Sequence, residues 1–489
     1  MNIFRQYSVK VNAAMNFGMK VAGALCTLIS YPWVFRVLGA EGVGRVAFAN
    51  SVLNFFIMLA TLGIPSYGVR ECARVRDDRE QLSKVTHELL IIQAVTTLMA
   101  TVLMGLTVAL VPKLRAEPQL FAIQLFVLAL NVLGTEWLFS GLEQYGYITF
   151  RVIALKSLTV VLIVTLVRDV NDWLMYAMLL GFAVYMPNVL NLFGLRHFVS
   201  VRRCREPYEL KRHIRPILVF FAQSAAITVY TSLDSAMLGF ISGDYWVGMY
   251  DASVKIKLIL TYFITSLGNV LMPRLSNYVY RKREEDFRRS VAESAEFTLI
   301  AGLSLTVYFL LMAPECVVFL FGEESLPAAS ALRVLAPTVL LIGCSNLTGV
   351  QILTPRGREN IVMWSMICGA AVDFVLNLLF IPRFHAAGAA LGTLIAEVAV
   401  LGVQLWFLRD FFRELRGEIR GGRILFAALL AAVAPLAVKL LLGPLPFVRI
   451  VAAALTYFAA FGALLCLMRV PMALSLLEKV KELPGKKRG

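Results

Sequence analysis

Residues 196–216 read RHFVSVRRCREPYELKRHIRP, a basic segment that separates two long blocks of apolar sequence. Seven of these residues are Lys or Arg, whereas the flanking stretches VYMPNVLNLFGL and ILVFFAQSAAITVY carry no charge. A short basic segment between apolar blocks is typical of a loop between membrane spans. We therefore expect two helical halves joined at this segment.

The composition indicates a polytopic membrane protein. Of the 489 residues 59% are hydrophobic and the mean hydropathy is +0.73, whereas soluble domains are about 45 to 50% apolar. About 20 apolar residues of helix cross the hydrocarbon core of a bilayer, and by that measure the chain contains about fourteen spans. The sequence thus predicts an all-α membrane protein.

The predicted spans divide into two similar sets of six, followed by two more. Because six is even, the two halves would have the same orientation, as in a parallel repeat. Leu38-Gly39 resembles Leu238-Gly239, and Val43-Gly44 resembles Val247-Gly248. The expected organisation is an N-terminal six-helix lobe (1–198), a basic linker (199–216), a second six-helix lobe (217–409), and a loop with two helices and a basic tail (410–489).

The net charge of +15 is explained by orientation in a membrane. Successive segments between spans alternate between many and few Lys and Arg residues, and positive charge collects on the cytoplasmic side. This alternation predicts that both termini are cytoplasmic. It also argues against nucleic acid as a partner, because the basic residues lie in short inter-span segments.

Signals for catalysis or cofactors are lacking. The sequence contains no Gly-rich phosphate-binding loop of the Walker kind, and its four histidines do not have metal-ligand spacing. The seven cysteines are scattered, without a CxxC pair. No inter-span segment is long enough for a separate catalytic domain. We therefore predict no enzyme activity, no cofactor and no metal.

Charged residues inside spans are the candidates for function. A charge in a span costs about 2.5 to 3.5 kcal/mol on insertion scales and usually faces protein or water. Five cations are candidates for lining a central cavity that accepts an anionic substrate. They are Lys20, Lys156, Lys255, Lys257 and Arg333. Internal neutralisation is the alternative, since Asp251 and Lys255 are spaced i, i+4 and can pair.

Acidic residues in or near spans are candidates for ion coupling or gating. Those inside spans are Asp234, Asp251, Asp373 and Glu397. Asp373 and Glu397 are suited to binding a coupling proton or cation, or to a structural hydrogen bond with a neighbouring helix. Glu136 and Glu143 are seven residues apart and are expected to share a helix face, as a gate or as a helix-end structural pair.

Several short motifs, in order along the chain, resemble a known family. The two longest are 63–71 (GIPSYGVRE) and 136–143 (EWLFSGLE). Further matches are 38–44 (LGAEGVG), Asp234 with 237–239 (MLG), Gly248 with 250–252 (YDA), and 351–353 (QIL). Together they resemble the polysaccharide transporter family of the multidrug/oligosaccharidyl-lipid/polysaccharide exporter superfamily.

The resemblance implies a flippase in a bacterial inner membrane. Its substrate would be an oligosaccharide repeat unit on undecaprenyl pyrophosphate, moved to the outer leaflet for O-antigen or capsule assembly. The implied fold is a V-shaped pair of lobes around a central cavity, working by alternating access. In related lipid II flippases, cations on the first, second and eighth spans face the cavity, and Lys20, Arg45 and Lys255 or Lys257 occupy those spans here. A polymerase and glycosyltransferases of the same pathway would be partners.

Two other functions are compatible with the pattern of spans. One is a cation-coupled multidrug extruder of the same superfamily, whose cavity would be aromatic and acidic rather than lined by lysines. The other is a polytopic membrane enzyme acting on lipid-linked sugars, which would require a catalytic loop or paired carboxylates.

Overall fold

The computed structural model describes residues 9–200, 202, 207–415, 419–443 and 445–475. Within these ranges the secondary structure is helical and contains no strand. This follows from the bilayer environment, since a helix satisfies every backbone hydrogen bond within its own segment. The expectation of an all-α membrane protein is confirmed.

The described chain forms two compact units, Met1–Gly248 and Met249–Gly489. The first unit contains nine helices and the start of a tenth. They are α1 (Val9–Thr61), α2 (Ile64–Arg74), α3 (Arg79–Leu110), α4 (Pro112–Arg115), α5 (Pro118–Ala129), α6 (Glu136–Gly141), α7 (Tyr145–Leu166), α8 (Trp173–Phe198), α9 (Lys211–Ser242) and α10 (Asp244–Tyr280). A 3₁₀ segment, Leu130–Leu133, lies between α5 and α6.

The second unit contains the rest of α10 and seven further helices. They are α11 (Glu284–Phe321), α12 (Ala328–Asn346), α13 (Glu359–Phe407), α14 (Arg409–Glu414), α15 (Gly421–Ala431), α16 (Val433–Leu441) and α17 (Pro446–Leu467). A π-helical segment, Leu347–Leu353, continues α12. The lobe boundaries expected from the sequence, 1–198 and 217–409, stay a prediction.

Twelve helical stretches of the described chain are long and apolar enough to cross a membrane. Two of them, Val21–Arg74 and Glu359–Phe407, are 54 and 49 residues long, more than twice the length that one crossing needs. Each contains a residue with a non-helical backbone, Gly39 in the first and His385 in the second. A multi-pass membrane protein is confirmed, and the count of fourteen spans stays a prediction.

The internal repeat has a different register from the one the sequence predicts. Gly39 has φ 68° and ψ 177°, and Gly243 has φ 92° and ψ 172°. Only glycine adopts this backbone conformation readily, and it ends the first part of α1 and the whole of α9. Gly39 is therefore equivalent to Gly243, since each also precedes a Val-Gly pair by four residues. The expected pairing of Gly39 with Gly239 is wrong, because Gly239 lies within α9, where it contacts Phe48.

Helix α13 is a hairpin whose two halves pack along each other. His385, with φ 48°, interrupts it. Gln404 Nε2 donates to Ser365 Oγ at 2.9 Å, although the two residues are 39 positions apart in one helical stretch. A Cβ atom on Gly388 would lie 2.4 Å from the carbonyl oxygen of Phe380, so the halves approach closely next to the turn.

The fourth predicted span, 119–142, is broken in the structure. Helix α5 ends at Ala129, and α6 begins only at Glu136. Gln93 on α3 is fully buried beside the break and donates to the carbonyl oxygens of Asn131 (2.6 Å) and Gly134 (3.2 Å). A neighbouring side chain thus satisfies backbone groups released by the break, as a helix interruption at membrane depth requires.

The two C-terminal helices pack against α11 through aromatic side chains. Tyr457 is fully buried between Tyr308 and Phe461, whose ring centroids lie 6.1 and 6.0 Å away. Lys439 on α16 pairs with Glu315 on α11 at 3.0 Å. These contacts attach α16 and α17 to α11 and neutralise the charge of Lys439.

Candidate functional site

In the first unit, Lys156 lies against the face of α1 that carries Lys20. A Cβ atom on Gly23 would be 2.8 Å from Lys156 Nζ, so the ammonium group lies directly on the backbone of α1. Lys20 precedes Gly23 by three residues and therefore shares this helix face. Its side chain lies outside the described residues. The structure thus brings one predicted cation to the helix face of another.

Arg45 is held in ion pairs. Its guanidinium contacts Glu41 at 2.8 Å and Glu117 at 3.5 Å, and lies 5.4 Å from the ring centroid of Trp173. Two carboxylates thus balance its charge. This geometry favours a structural role for Arg45 where α1, α5 and α8 meet.

In the second unit, the two lysines of α10 differ in their partners. Lys255 Nζ is 3.3 Å from Asp251 Oδ1, the i, i+4 pair that the sequence suggested. Lys257 is half-buried and forms no ion pair with a described residue. Side chains two residues apart on a helix, such as those of Lys255 and Lys257, point to opposite sides. Lys257 therefore keeps an unbalanced charge on another face of α10.

Arg333 lies one turn into α12 and is exposed, without an ion pair to the described residues. Asp234 is buried on α9 in the first unit.

The α13 hairpin carries two buried carboxylates. Asp373 lies on its first half and Glu397 on its second, with exposed fractions of 1% and 3%. Asn377 Nδ2 donates to Asp373 Oδ2 at 3.2 Å. A Cβ atom on Gly392 would lie 2.4 Å from Asn377 Oδ1 and 3.0 Å from Asp373 Oδ1. The missing side chain at Gly392 gives these polar groups room between the two halves.

Glu136 and Glu143 do not share a helix face, because α6 ends at Gly141 and Glu143 has φ 58°. Each carboxylate pairs with a different arginine. Glu136 contacts Arg151 at 3.1 Å, and Glu143 contacts Arg76 at 3.1 Å. The expectation of a shared face is wrong, because the helix ends at Gly141, between the two glutamates.

Arg151 on α7 is a site residue that sequence reasoning missed. Its side chain is 2% exposed, and besides Glu136 it donates to Asn191 Oδ1 on α8. The guanidinium carbon lies 5.2 Å from the centroid of the Tyr147 ring. A signal was present, because Arg151 lies within the fifth predicted span.

A second missed cluster surrounds Glu88 on α3, whose side chain is fully buried. Glu88 Oε2 accepts from Arg212 Nη2 at 2.6 Å and lies 2.8 Å from His213 Nε2. The other ring nitrogen of His213 lies 2.7 Å from Tyr67 Oη. The cluster therefore joins α2, α3 and α9, at the end of the basic linker. Among the described residues no group of three or more His, Cys, Asp or Glu could hold a metal ion.

Comparisons with known proteins agree with this architecture. The family described as polysaccharide biosynthesis protein matches residues 9–279, more than half of the chain. A relative in Escherichia coli strain K12, provisionally named an O-antigen transporter, is 22% identical over 389 residues, which are 79% of this chain and 93% of the relative.

Solved structures share the fold. The lipid II flippase MurJ in its inward closed conformation superimposes with a TM-score of 0.72 at 12% identity, over 94% of this chain and 100% of that one. An inward-facing multidrug resistance MATE family transporter has a TM-score of 0.63 at 16% identity, over 81% of this chain and 96% of the other. The chain belongs to the polysaccharide biosynthesis protein family.

Proposed function

We propose that the protein is a flippase for lipid-linked oligosaccharides. It would move repeat units on undecaprenyl pyrophosphate from the cytoplasmic to the outer leaflet of a bacterial inner membrane, by alternating access, for polysaccharide biosynthesis. The observation that carries the proposal is the match to the provisionally named O-antigen transporter, which extends over 93% of that protein. A relationship of this extent concerns the whole transport unit rather than one motif.

The charges of the site suit an anionic head group. A pyrophosphate with a polar glycan does not cross hydrocarbon unaided, whereas its polyprenyl tail stays in lipid. Lys156 on α7 and Lys257 on α10 are half-buried cations without an ion pair to the described residues. Coulomb attraction between such cations and a pyrophosphate is stronger in reduced dielectric than in water. Lys20, Lys255 and Arg333 are further cations proposed to line the path.

The α13 hairpin is the proposed coupling site. Asp373 and Glu397 are nearly inaccessible, and charged groups at membrane depth are retained chiefly where they function. A proton or small cation bound at Asp373 would link the spacing of the two halves to an ion gradient. Asp234 and Asp251 are weaker candidates, since Asp251 already pairs with Lys255.

The proposal includes no catalytic step. The curated relatives that match are named as transporters, a flippase, a biosynthesis protein or uncharacterised membrane proteins. The proposed partners are the lipid-linked saccharide and membrane lipids, with a polymerase and glycosyltransferases of the same pathway acting before and after it. Both termini are proposed to be cytoplasmic.

Reconstitution tests the function directly. Purified protein in vesicles should move an undecaprenyl-pyrophosphate-linked glycan between leaflets, measured by the access of an added glycosidase to the sugar. Lys20→Ala and Lys257→Ala should each slow the transfer while the protein stays folded. Absence of transfer by the wild-type protein, together with gradient-driven export of ethidium, would replace the proposal with the multidrug extruder.

A further inference from the structure

The Arg151 side chain is surrounded by protein and still has hydrogen-bonding capacity to spare. Its Nη1 donates to Asn191 Oδ1 and its Nη2 to Glu136 Oε2. Arg151 Nε and Asn191 Nδ2 have no hydrogen-bond partner within the described part of the chain. Both residues are buried, with exposed fractions of 3% and 0%. Two buried donors therefore flank the hydrogen bond between these side chains.

The Glu136 carboxylate contacts only one of the two nitrogens on one edge of the Arg151 guanidinium group. In a guanidinium group, Nε and Nη2 direct their hydrogens from the same edge, which matches two oxygens of a carboxylate or phosphate. Here a contact of 3.1 Å joins Glu136 Oε2 to Nη2, and Nε on that edge stays unpaired. The Glu136 side chain is 47% exposed, in contrast to 2% for Arg151. The acceptor is therefore accessible while the cation is enclosed.

This asymmetry distinguishes the pair from a structural salt bridge. A buried arginine with unpaired donors is costly, because desolvation is not fully compensated. An exposed carboxylate that contacts one nitrogen loses little when it swings into solvent. A ligand with two or more anionic oxygens would satisfy Nε and Nη2 together, with Asn191 Nδ2 as a further donor.

We propose that Arg151 and Asn191 form an anion site that Glu136 occupies in this conformation and that the pyrophosphate of the substrate takes over. The inference rests on the proposed function and adds a site to it. Displaced by the pyrophosphate, Glu136 turns to solvent or to hydroxyl groups of the attached sugar. Glu136 begins α6, seven residues before Glu143, at the end of the unit that the basic loops predict as cytoplasmic. A substrate arriving from the inner leaflet would meet this end first.

Binding of a prenyl pyrophosphate to the purified full-length protein tests the site. The probe is geranylgeranyl pyrophosphate in detergent micelles, with geranylgeraniol as the probe that lacks the anion. Glu136→Gln should bind the pyrophosphate about two- to fivefold more tightly, since a competing, partly exposed carboxylate is removed. Arg151→Gln should bind it about tenfold or more weakly. The affinity of Arg151→Lys should lie between those of wild type and Arg151→Gln, because lysine keeps the charge but lacks the paired N–H donors of a guanidinium group.

An anion site predicts tighter pyrophosphate binding by Glu136→Gln and weaker binding by Arg151→Gln. In a structural ion pair, removal of either partner would weaken binding or stability. Glu143→Gln is the matched control, since Glu143 also contacts an arginine at 3.1 Å and is 43% exposed. It should leave the affinity unchanged. If Arg151→Gln fails to fold, the exposed Glu136→Gln variant decides alone.

Each other outcome is informative. Weaker or unchanged binding by Glu136→Gln, in a protein whose wild type binds the probe and translocates glycan, overturns the anion site and leaves the flippase intact. Equal binding of geranylgeraniol and its pyrophosphate also overturns the site. A wild-type protein that neither binds the pyrophosphate nor translocates glycan overturns both proposals.

Discussion

Gly44 and Gly248 contact each other's helices reciprocally. A Cβ atom on Gly44 would lie 1.7 Å from the carbonyl oxygen of Asp244, and one on Gly248 would lie 1.9 Å from that of Ala40. Ala40 and Asp244 directly follow the equivalent turn glycines Gly39 and Gly243. Residues 39–44 and 243–248 therefore contact each other through equivalent positions.

The first prediction concerns the closeness of this crossing. Gly44→Ala should lower stability by about 1 to 3 kcal/mol, because the added methyl group forces two backbones apart. Thermal unfolding in detergent measures the effect. Gly105→Ala on α3 is the control, since a Cβ atom there meets nothing within 4 Å, and it should not lower the unfolding temperature. Equal unfolding temperatures for Gly44→Ala and wild type would contradict the crossing.

The second prediction concerns the cluster around Glu88. Glu88→Ala should destabilise the protein by about 3 to 5 kcal/mol, because Arg212 and His213 lose a buried carboxylate that accepts from both. Tyr67→Phe removes one hydrogen bond and keeps the ring, so about 1 kcal/mol is expected. Both are measured by thermal unfolding.

The control for this cluster is Glu80→Ala, at an exposed position on the first turn of the same helix. It should change stability by no more than about 0.5 kcal/mol. Similar losses for Glu80→Ala and Glu88→Ala would show that the cluster contributes nothing specific.

Local sequence predicts the helices and not these clusters, for a physical reason. A span needs about 20 apolar residues, which can be counted within one segment. Glu88 and His213 are 125 residues apart, and Arg151 and Asn191 are 40 apart. Their partners depend on which helices pack together. The Asp251 and Lys255 pair was predictable because i, i+4 spacing is local.

Breaks in the helices, too, are not fully predicted by local sequence. The glycine pattern was visible, since Gly39 precedes Gly44 and Gly243 precedes Gly248 by five residues, but the backbone turn at Gly39 and Gly243 was not. The break between α5 and α6 depends on Gln93, which lies on a different helix. Nothing within 130–135 alone indicates that this side chain satisfies the freed carbonyl groups.

The third prediction concerns the two lysines of α10. Lys257→Gln should reduce glycan translocation in vesicles by about tenfold, as expected for loss of one charge-assisted contact. Lys255→Gln should also lower stability, since it leaves Asp251 without its i, i+4 partner. Adding Asp251→Asn to Lys255→Gln should restore the unfolding temperature.

Arg289→Gln provides the control for charge alone, because the Arg289 side chain is 83% exposed and pairs only with Glu293 in the described residues. Translocation by this variant should equal that of wild type. A Lys257→Gln protein with undiminished translocation would remove Lys257 from the substrate path.

The fourth prediction separates coupling from packing in the α13 hairpin. Asp373→Asn keeps the shape of the side chain and removes its charge. If Asp373 binds the coupling ion, this variant should translocate glycan at a rate that no longer responds to an imposed proton or sodium gradient.

The packing of the hairpin is tested by a different variant. Gly392→Ala adds a methyl group 2.4 Å from Asn377 Oδ1, and should lower stability by about 1 to 3 kcal/mol. Gly402→Ala, on the same half of the hairpin with nothing within 4 Å of its Cβ position, should change neither property. A wild-type gradient response in Asp373→Asn would show that the Asp373 carboxylate serves packing, and would leave Glu397 as the coupling candidate of the hairpin.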